Sequence, residues 1–150
     1  MFKERSYVKV VAHLQDGSLI KGFMENSADE SLPVRNPLPP KVELRLVNGG
    51  IQVVDLGLTK ALFFVKSFEG RSDYKEVKFF KADPEIEGLW IRIQFHDNEV
   101  TEGVVHNSLP FIVHGGFFLK PPDPQSNNTM TYVVKKSLKD FKVLGIRGEY

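Results

Sequence analysis

The sequence predicts an all-β chain made of two similar halves, and three observations carry that reading. Apolar and polar residues alternate with period two through most of the 150 residues, while helical periodicity is nearly missing. Tight-turn groups, Asp16-Gly17 and Asn48-Gly49-Gly50, separate the alternating runs. One strand–turn–strand pattern recurs without gaps at a shift of 81 residues, Val8 falling on Leu89.

The elements follow in order. Val8, Val10, Ala12 and Leu14 alternate with more polar neighbours and lead into Asp16-Gly17. Leu19, Gly22 and Phe23 lie on the return strand. Asn26 to Pro40 holds four prolines and reads as a long loop. Val42, Leu44 and Leu46 alternate again, and Ile51–Leu56 and Ala61–Val65 are further strands. Ala61-Leu62-Phe63-Phe64-Val65 has no polar position, which predicts burial on both faces. A short strand is expected near Val77–Phe80. The pattern then restarts with Leu89, Ile91, Ile93 and Phe95, a turn at Asp97-Asn98, and a return through Val100, Gly103, Val104 and Val105. Phe117–Leu119, Thr131–Val134 and Leu138–Ile146 complete the second set. The expected organisation is a first unit at residues 1–70, a connector at 71–87 and a second unit at 88–150.

Composition narrows the function. Hydrophobic residues make up 41%, enough for a core, and charged residues 26%. The formal net charge is +1, so bulk charge does not direct the chain to polyanions. Up to Phe80 there are 12 Lys/Arg and 10 Asp/Glu, and beyond it 8 and 9, so neither half is basic. There is no cysteine, which excludes disulfides and thiolate chemistry and fits a reducing compartment. Met1-Phe2-Lys3-Glu4-Arg5 has no apolar signal core, and no run is long enough to span a membrane. A cytoplasmic protein is expected.

The segment Val8-x-Val10-x-x-x-Leu14-x-Asp16-Gly17-x-x-Ile20-x-Gly22 resembles the first signature of Sm-like barrels. Residues 89–103 repeat it, with Asn98 in place of the turn glycine. The resemblance implies two tandem Sm-like (SH3-like) small β-barrels arising from an internal duplication. The second Sm signature, an Arg-Gly or Lys-Gly RNA contact, has only poor counterparts in Phe64-Val65-Lys66 and Gly145-Ile146-Arg147-Gly148. The likeness therefore bears on the fold more than on RNA. Lys60-Ala61-Leu62-Phe63-Phe64-Val65-Lys66 and the later run Gly116 to Asn128, followed by Tyr132-Val133-Val134, are similar to motifs of an uncharacterised bacterial family of small β proteins. That resemblance implies a bacterial source, no established activity, and a place beside regulatory modules in signalling.

Candidate sites are few. Pro121-Pro122-Asp123-Pro124-Gln125-Ser126-Asn127-Asn128 joins two apolar strands. Asp123, Ser126, Asn127 and Asn128 could hold a polar ligand, and the same composition makes a structured turn. Lys135, Lys136, Lys139 and Lys142 form the basic cluster. Lys135 and Lys136 could contact phosphate, or the group could be a solvated edge guarded by charge. His96, His106 and His114 are not spaced to converge on a metal. Asp97, Glu99 and Glu102 surround one hairpin without a visible cleft, and Asp97 and Glu99 read as solvated. Adjacent pairs Phe63-Phe64, Phe79-Phe80 and Phe117-Phe118 put one ring of each outward. Those rings, beside lysines, could stack bases, or be covered by the other half or a second subunit. The expectation is a non-catalytic binding or regulatory module for an unknown protein or small molecule, with no cofactor and no metal. A single-stranded RNA or DNA binder is the alternative, and a homo-oligomer is open.

Overall fold

The computed structural model describes residues 6–27, 32–35, 37–69, 78–80, 88–106 and 114–147. Ten strands run through them: β1 Tyr7–Leu14, β2 Leu19–Glu25, β3 Lys41–Leu46, β4 Ile51–Asp55, β5 Thr59–Val65, β6 Gly88–Phe95, β7 Val100–Val105, β8 Gly116–Leu119, β9 Asn128–Val134 and β10 Leu138–Arg147. A single 3-10 turn precedes β5 (Leu56–Leu58) and another precedes β10 (Lys135–Ser137). The all-β expectation holds. The strand expected near Val77–Phe80 is absent over Lys78–Phe80, and Val77 lies outside the described residues. Most of the connector, 71–77 and 81–87, also lies outside them.

Two antiparallel sheets form, and neither closes into a barrel. One has seven strands in the order β4-β3-β2-β1-β5-β9-β8, the other three in the order β10-β6-β7. A strand has only two edges. One edge of β5 pairs with β1, and the other is taken by β9 from the second half, with Ala61 opposite Val133 and Phe63 opposite Thr131. No edge of β5 remains for β4, so the first five strands stay open. One isolated bridge, Val104 opposite Lys120, links the two sheets.

The pairing geometry of β1–β5 recurs in β6–β10. Val10 lies opposite Gly22, and Ile91 opposite Gly103. Phe23 lies opposite Arg45, and Val104 opposite Lys120. Leu14 pairs with Thr59 before a register shift, and Phe95 pairs with Leu138 before one. Gly17 (φ 90°) and Asn98 (φ 73°) hold the same left-handed turn conformation, which Gly and Asn tolerate best. At Gly22 a Cβ would lie 2.9 Å from Arg45 O, and at Gly103 2.7 Å from Lys120 O. Both glycines therefore let the neighbouring strand approach closely.

Two cores result, and β5 serves both because its side chains alternate. Leu62 and Phe64 join Val10, Ala12, Val42, Leu44, Val54 and Leu56, together with Tyr132 and Val134 from β9. Ala61 joins Ile91, Ile93, Phe95, Phe117, Leu119 and Val133, and Phe63 packs against that second core. Phe64 is 2% exposed and Phe63 half-buried, so both faces of the apolar strand are covered. Among the described residues no helix is long and apolar enough to cross a membrane.

Candidate functional site

The loop between β8 and β9 is held by its own polar groups. The Gln125 N–H donates to Asp123 Oδ1 at 2.9 Å, and the Ser126 N–H donates to the Asp123 carbonyl at 3.1 Å. Ser126 Oγ accepts from the Asn128 N–H at 3.0 Å. Asn127 clamps the chain after β5: its Nδ2 donates to Ser67 O at 2.8 Å and its Oδ1 accepts from Ser67 N at 2.9 Å. In the amide orientation that satisfies both of its ends, the Asn128 nitrogen donates to Met130 O at 2.7 Å and its oxygen accepts from Thr131 Oγ1 at 2.7 Å. Asp123 and Ser126 are buried. These contacts fix a turn, as the composition allowed.

Lys135 and Lys136 do not join that loop. Asn128 opens β9 and Lys135 follows its far end, roughly 20 Å away at the rise of a strand. Burial lowers the Lys135 pKa. Lys136 is exposed. Lys139 Nζ donates to Asn98 Oδ1 at 3.1 Å, and Lys142 Nζ lies 3.8 Å from Asp140. The six candidate residues therefore fall in two places.

A second polar group joins the halves. Lys60 Nζ, on β5, donates to Asp97 Oδ2 at 2.6 Å and Glu99 Oε1 at 3.0 Å, and sits 4.5 Å from the Phe95 ring centroid. Lys78 lies 3.3 Å from Glu99. The hydrogen bond from Lys60 holds the Asp97 pKa down. Burial raises that of Glu99, but Lys60 and Lys78 outweigh it and the net shift is downward. His13 packs on the Phe63 ring at 4.3 Å, and burial, then the Lys60 charge, lower its pKa.

Glu102 is the residue that alternation concealed. It is 2% exposed. Its Oε2 accepts from Arg92 Nε at 3.0 Å and Nη2 at 2.7 Å, and its Oε1 accepts from Trp90 Nε1 at 3.0 Å and the Phe80 N–H at 3.1 Å. Burial raises its pKa, but these bonds prevail and the carboxyl ends below its ordinary value. The cross-strand position of Glu102 opposite Arg92 was the available signal. Glu102 borders a cleft with Phe63, Lys78, Phe95, Glu99 and Asn128 that holds about 430 Å³ of space, part of it open solvent. The charges facing this cleft are paired, Lys78 with Glu99 across it and Glu102 with Arg92 from outside it.

Among the described residues no group of His, Asp and Glu is arranged to hold a metal, and no buried side-chain nitrogen or oxygen lacks a hydrogen-bond partner. His96 and His106 are exposed and His114 half-buried. The aromatic pairs are mostly packed. Phe64 and Phe117 are buried, Phe118 lies 5.1 Å from Tyr132, and Phe80 meets Trp90 edge-on at 6.2 Å. Phe79 is 43% exposed, with the Arg92 guanidinium 5.7 Å from its ring.

Among the described residues β7 and β8 meet at the Val104–Lys120 bridge, which leaves β4 and β10 as the outer sheet edges. β4 ends the larger sheet with Ile51 and Val53 exposed, and β10 ends the smaller with Val143 and Leu144 exposed. Natural edges are usually guarded by charge, proline or a cover. Exposed apolar side chains on an edge mark a place where another strand can be received.

Comparison with curated proteins gives no match, and comparison with solved structures gives none. The sequence model of one family does match, across residues 6–145, which is nearly the whole chain. The chain therefore belongs to a family of unknown function, DUF6982.

Proposed function

We propose that this protein is a non-catalytic binding module, built by duplication of a five-stranded Sm-like unit, that engages its partner through sheet edges. One observation carries the reading: β4 and β10 end their sheets with apolar side chains in water. The recurrence of pairing register, turn conformation and close-approach glycine between β1–β5 and β6–β10 supports the duplication. The polar candidates support the binding-module reading by subtraction, since the Pro121–Asn128 loop and the Glu102 cleft are engaged internally. A regulatory role in a bacterial cytoplasm fits the lack of cysteine. The packed aromatic pairs and balanced charge leave the single-stranded nucleic-acid reading with less support.

The test is a synthetic strand. β9 is the strand that β5 receives, so a peptide of residues 128–134 offered to the intact protein should bind the β10 edge. Saturable binding by calorimetry is expected, and Val143→Lys should abolish it. No binding to the wild-type protein would overturn the edge reading. A salt-sensitive response to single-stranded oligonucleotides in its place would favour the alternative.

A further inference from the structure

We infer that the outer face of β6 and β7 is a seat for an extended segment of a partner protein, a lysine followed by two aromatic residues, and that Lys78-Phe79-Phe80 of this chain occupies it until a partner displaces them. This goes beyond the edge reading, since the seat lies across β6–β7 and not on the rim of β4 or β10. Trp90 and Arg92 on β6 and Glu102 on β7 share the face turned away from Ile91 and Ile93 of the second core. At a shift of 81 residues the first half has Lys9, Val11 and Lys21 in their place. The seat is therefore particular to the second half and no part of the repeated strand pattern.

Lys78–Phe80 is not a strand, yet each of its residues is held. The Lys78 carbonyl accepts from the Glu102 N–H at 2.9 Å and from Thr101 Oγ1 at 3.3 Å, and Lys78 Nζ donates to Glu99 Oε2 at 3.3 Å. The Phe79 ring has the Arg92 guanidinium 5.7 Å from its centroid. The Phe80 N–H donates to Glu102 Oε1 at 3.1 Å, and its ring meets Trp90 edge-on at 6.2 Å. A main-chain carbonyl, a main-chain N–H, a cation and two rings are thus read within three residues. Extended peptides are recognised in this way: main-chain bonds supply affinity and side-chain contacts supply selectivity.

The seat and its occupant are unequally fixed. Of the four hydrogen bonds to the Glu102 carboxylate, three come from Arg92 and Trp90 and only one from the Phe80 N–H. Both of its oxygens therefore keep a donor when Phe80 leaves. Glu102 is 2% exposed, whereas Phe79 is 43% exposed and the Lys78 side chain 44%. Exposed ion pairs such as Lys78 with Glu99 hold weakly, while a preformed seat costs an incoming segment little ordering of its site. A partner's segment of the same chemistry exchanges with Lys78–Phe80 on these terms. Glu99, beside the Lys78 ammonium, selects a cation over an acid at the first position.

Trp90 is the chain's only tryptophan, so its emission reports the exchange. The full-length double variant Phe79→Ala/Phe80→Ala, checked for folding by circular dichroism, should show red-shifted emission. Acetyl-Lys-Phe-Phe-amide should reverse that shift saturably. The wild-type protein should bind the same peptide at least about tenfold more weakly, because its seat is free only in the fraction of molecules whose own segment has lifted. Acetyl-Glu-Phe-Phe-amide should bind the variant at least about tenfold more weakly than the lysine peptide, since its carboxylate faces Glu99. Lys78→Glu, an exposed change that opposes Glu99 and touches neither core, is the second variant should the first fail to fold. Unchanged Trp90 emission in both variants, no peptide binding to either, or equal binding of the two peptides would overturn the inference. A wild-type dimer that Phe79→Ala/Phe80→Ala abolishes would assign the seat to a second copy and overturn it as well. None of these outcomes depends on the 128–134 peptide, which tests the edges alone.

Discussion

The Arg92 guanidinium donates twice to one oxygen of Glu102, through Nε at 3.0 Å and Nη2 at 2.7 Å, and so neutralises the one carboxylate on β7 that is withdrawn from water. Charge-assisted pairs of this geometry are strong. Replacing Glu102 with Ala would leave Trp90 Nε1 and the Phe80 N–H without their acceptor as well. The expected loss is about 2–3 kcal/mol, moderated because the Arg92 side chain is itself 46% exposed and keeps water. Urea denaturation of Glu102→Ala against wild type measures it, and a change under 0.5 kcal/mol, roughly that of an ordinary surface substitution, would contradict the account.

Gly103 should tolerate a methyl group less well than Gly22. A Cβ at Gly103 would lie 2.5 Å from the Leu119 side chain and 2.7 Å from Lys120 O, while at Gly22 the nearest atoms are at 2.9 Å and 3.0 Å. Leu119 is 2% exposed and has little room to yield. Gly103→Ala is expected to cost about 1–3 kcal/mol, the range of overpacking, and Gly22→Ala less. Thermal denaturation of the two variants gives the order directly.

Stability should fall as pH drops below the ordinary histidine value, and His13 should be a cause. Its folded pKa lies below 6.5, through burial first and the Lys60 charge second, with Glu99 and Asp97 opposing. The fold thus favours the neutral ring. The associated stability is complete above pH 6.5 and is lost as pH falls through the depressed folded value. A His13→Gln variant should show a flatter dependence of stability on pH in that window. The carboxylates Asp97, Glu99 and Glu102, all lowered, lose their contributions only at more acidic pH.

A fragment of residues 1–70 should not be a well-behaved monomer. Without β9 it lacks the neighbour that covers Leu62 and Phe64, and its core lacks Tyr132 and Val134. Self-association or precipitation is expected on expression, read by light scattering. A folded, monodisperse, monomeric fragment would show that the first half needs no closing strand.

Local pairings were legible because their determinants are local. The turn residues Asp16-Gly17 and Asp97-Asn98 set the registers of β1–β2 and β6–β7, and the shift of 81 residues aligned Gly22 with Gly103. The alternation of Phe63 and Phe64 announced that β5 needs cover on both faces. What covers it was not legible. β4, with Ile51 and Val53, and β9, with Met130 and Tyr132, offer β5 similar apolar side chains, so the choice between them depends on where the free edges lie in space. Closed barrels were expected for the same reason, since a sequence pattern specifies strands but not whether the final edge closes on its own unit. Glu102 was read only as one of several charges at a hairpin, because the donors that satisfy it come from Trp90, Arg92 and the backbone of Phe80 together. The polar loop Pro121–Asn128 was legible as a turn and equally as a site, and its internal hydrogen bonds favour the turn.

The β5–β9 junction also dictates an order of events on the ribosome. β5 is complete once Val65 has emerged, but its second neighbour is synthesised roughly seventy residues later. Throughout that interval the nascent first half presents an open strand edge beside Leu62 and Phe64, a template for pairing with neighbouring nascent chains. Pairing across so long a stretch of sequence is also slow to find. Folding of this protein is therefore expected to finish late, with release of the C-terminal third, and to benefit from a chaperone that shields β5 until β9 arrives.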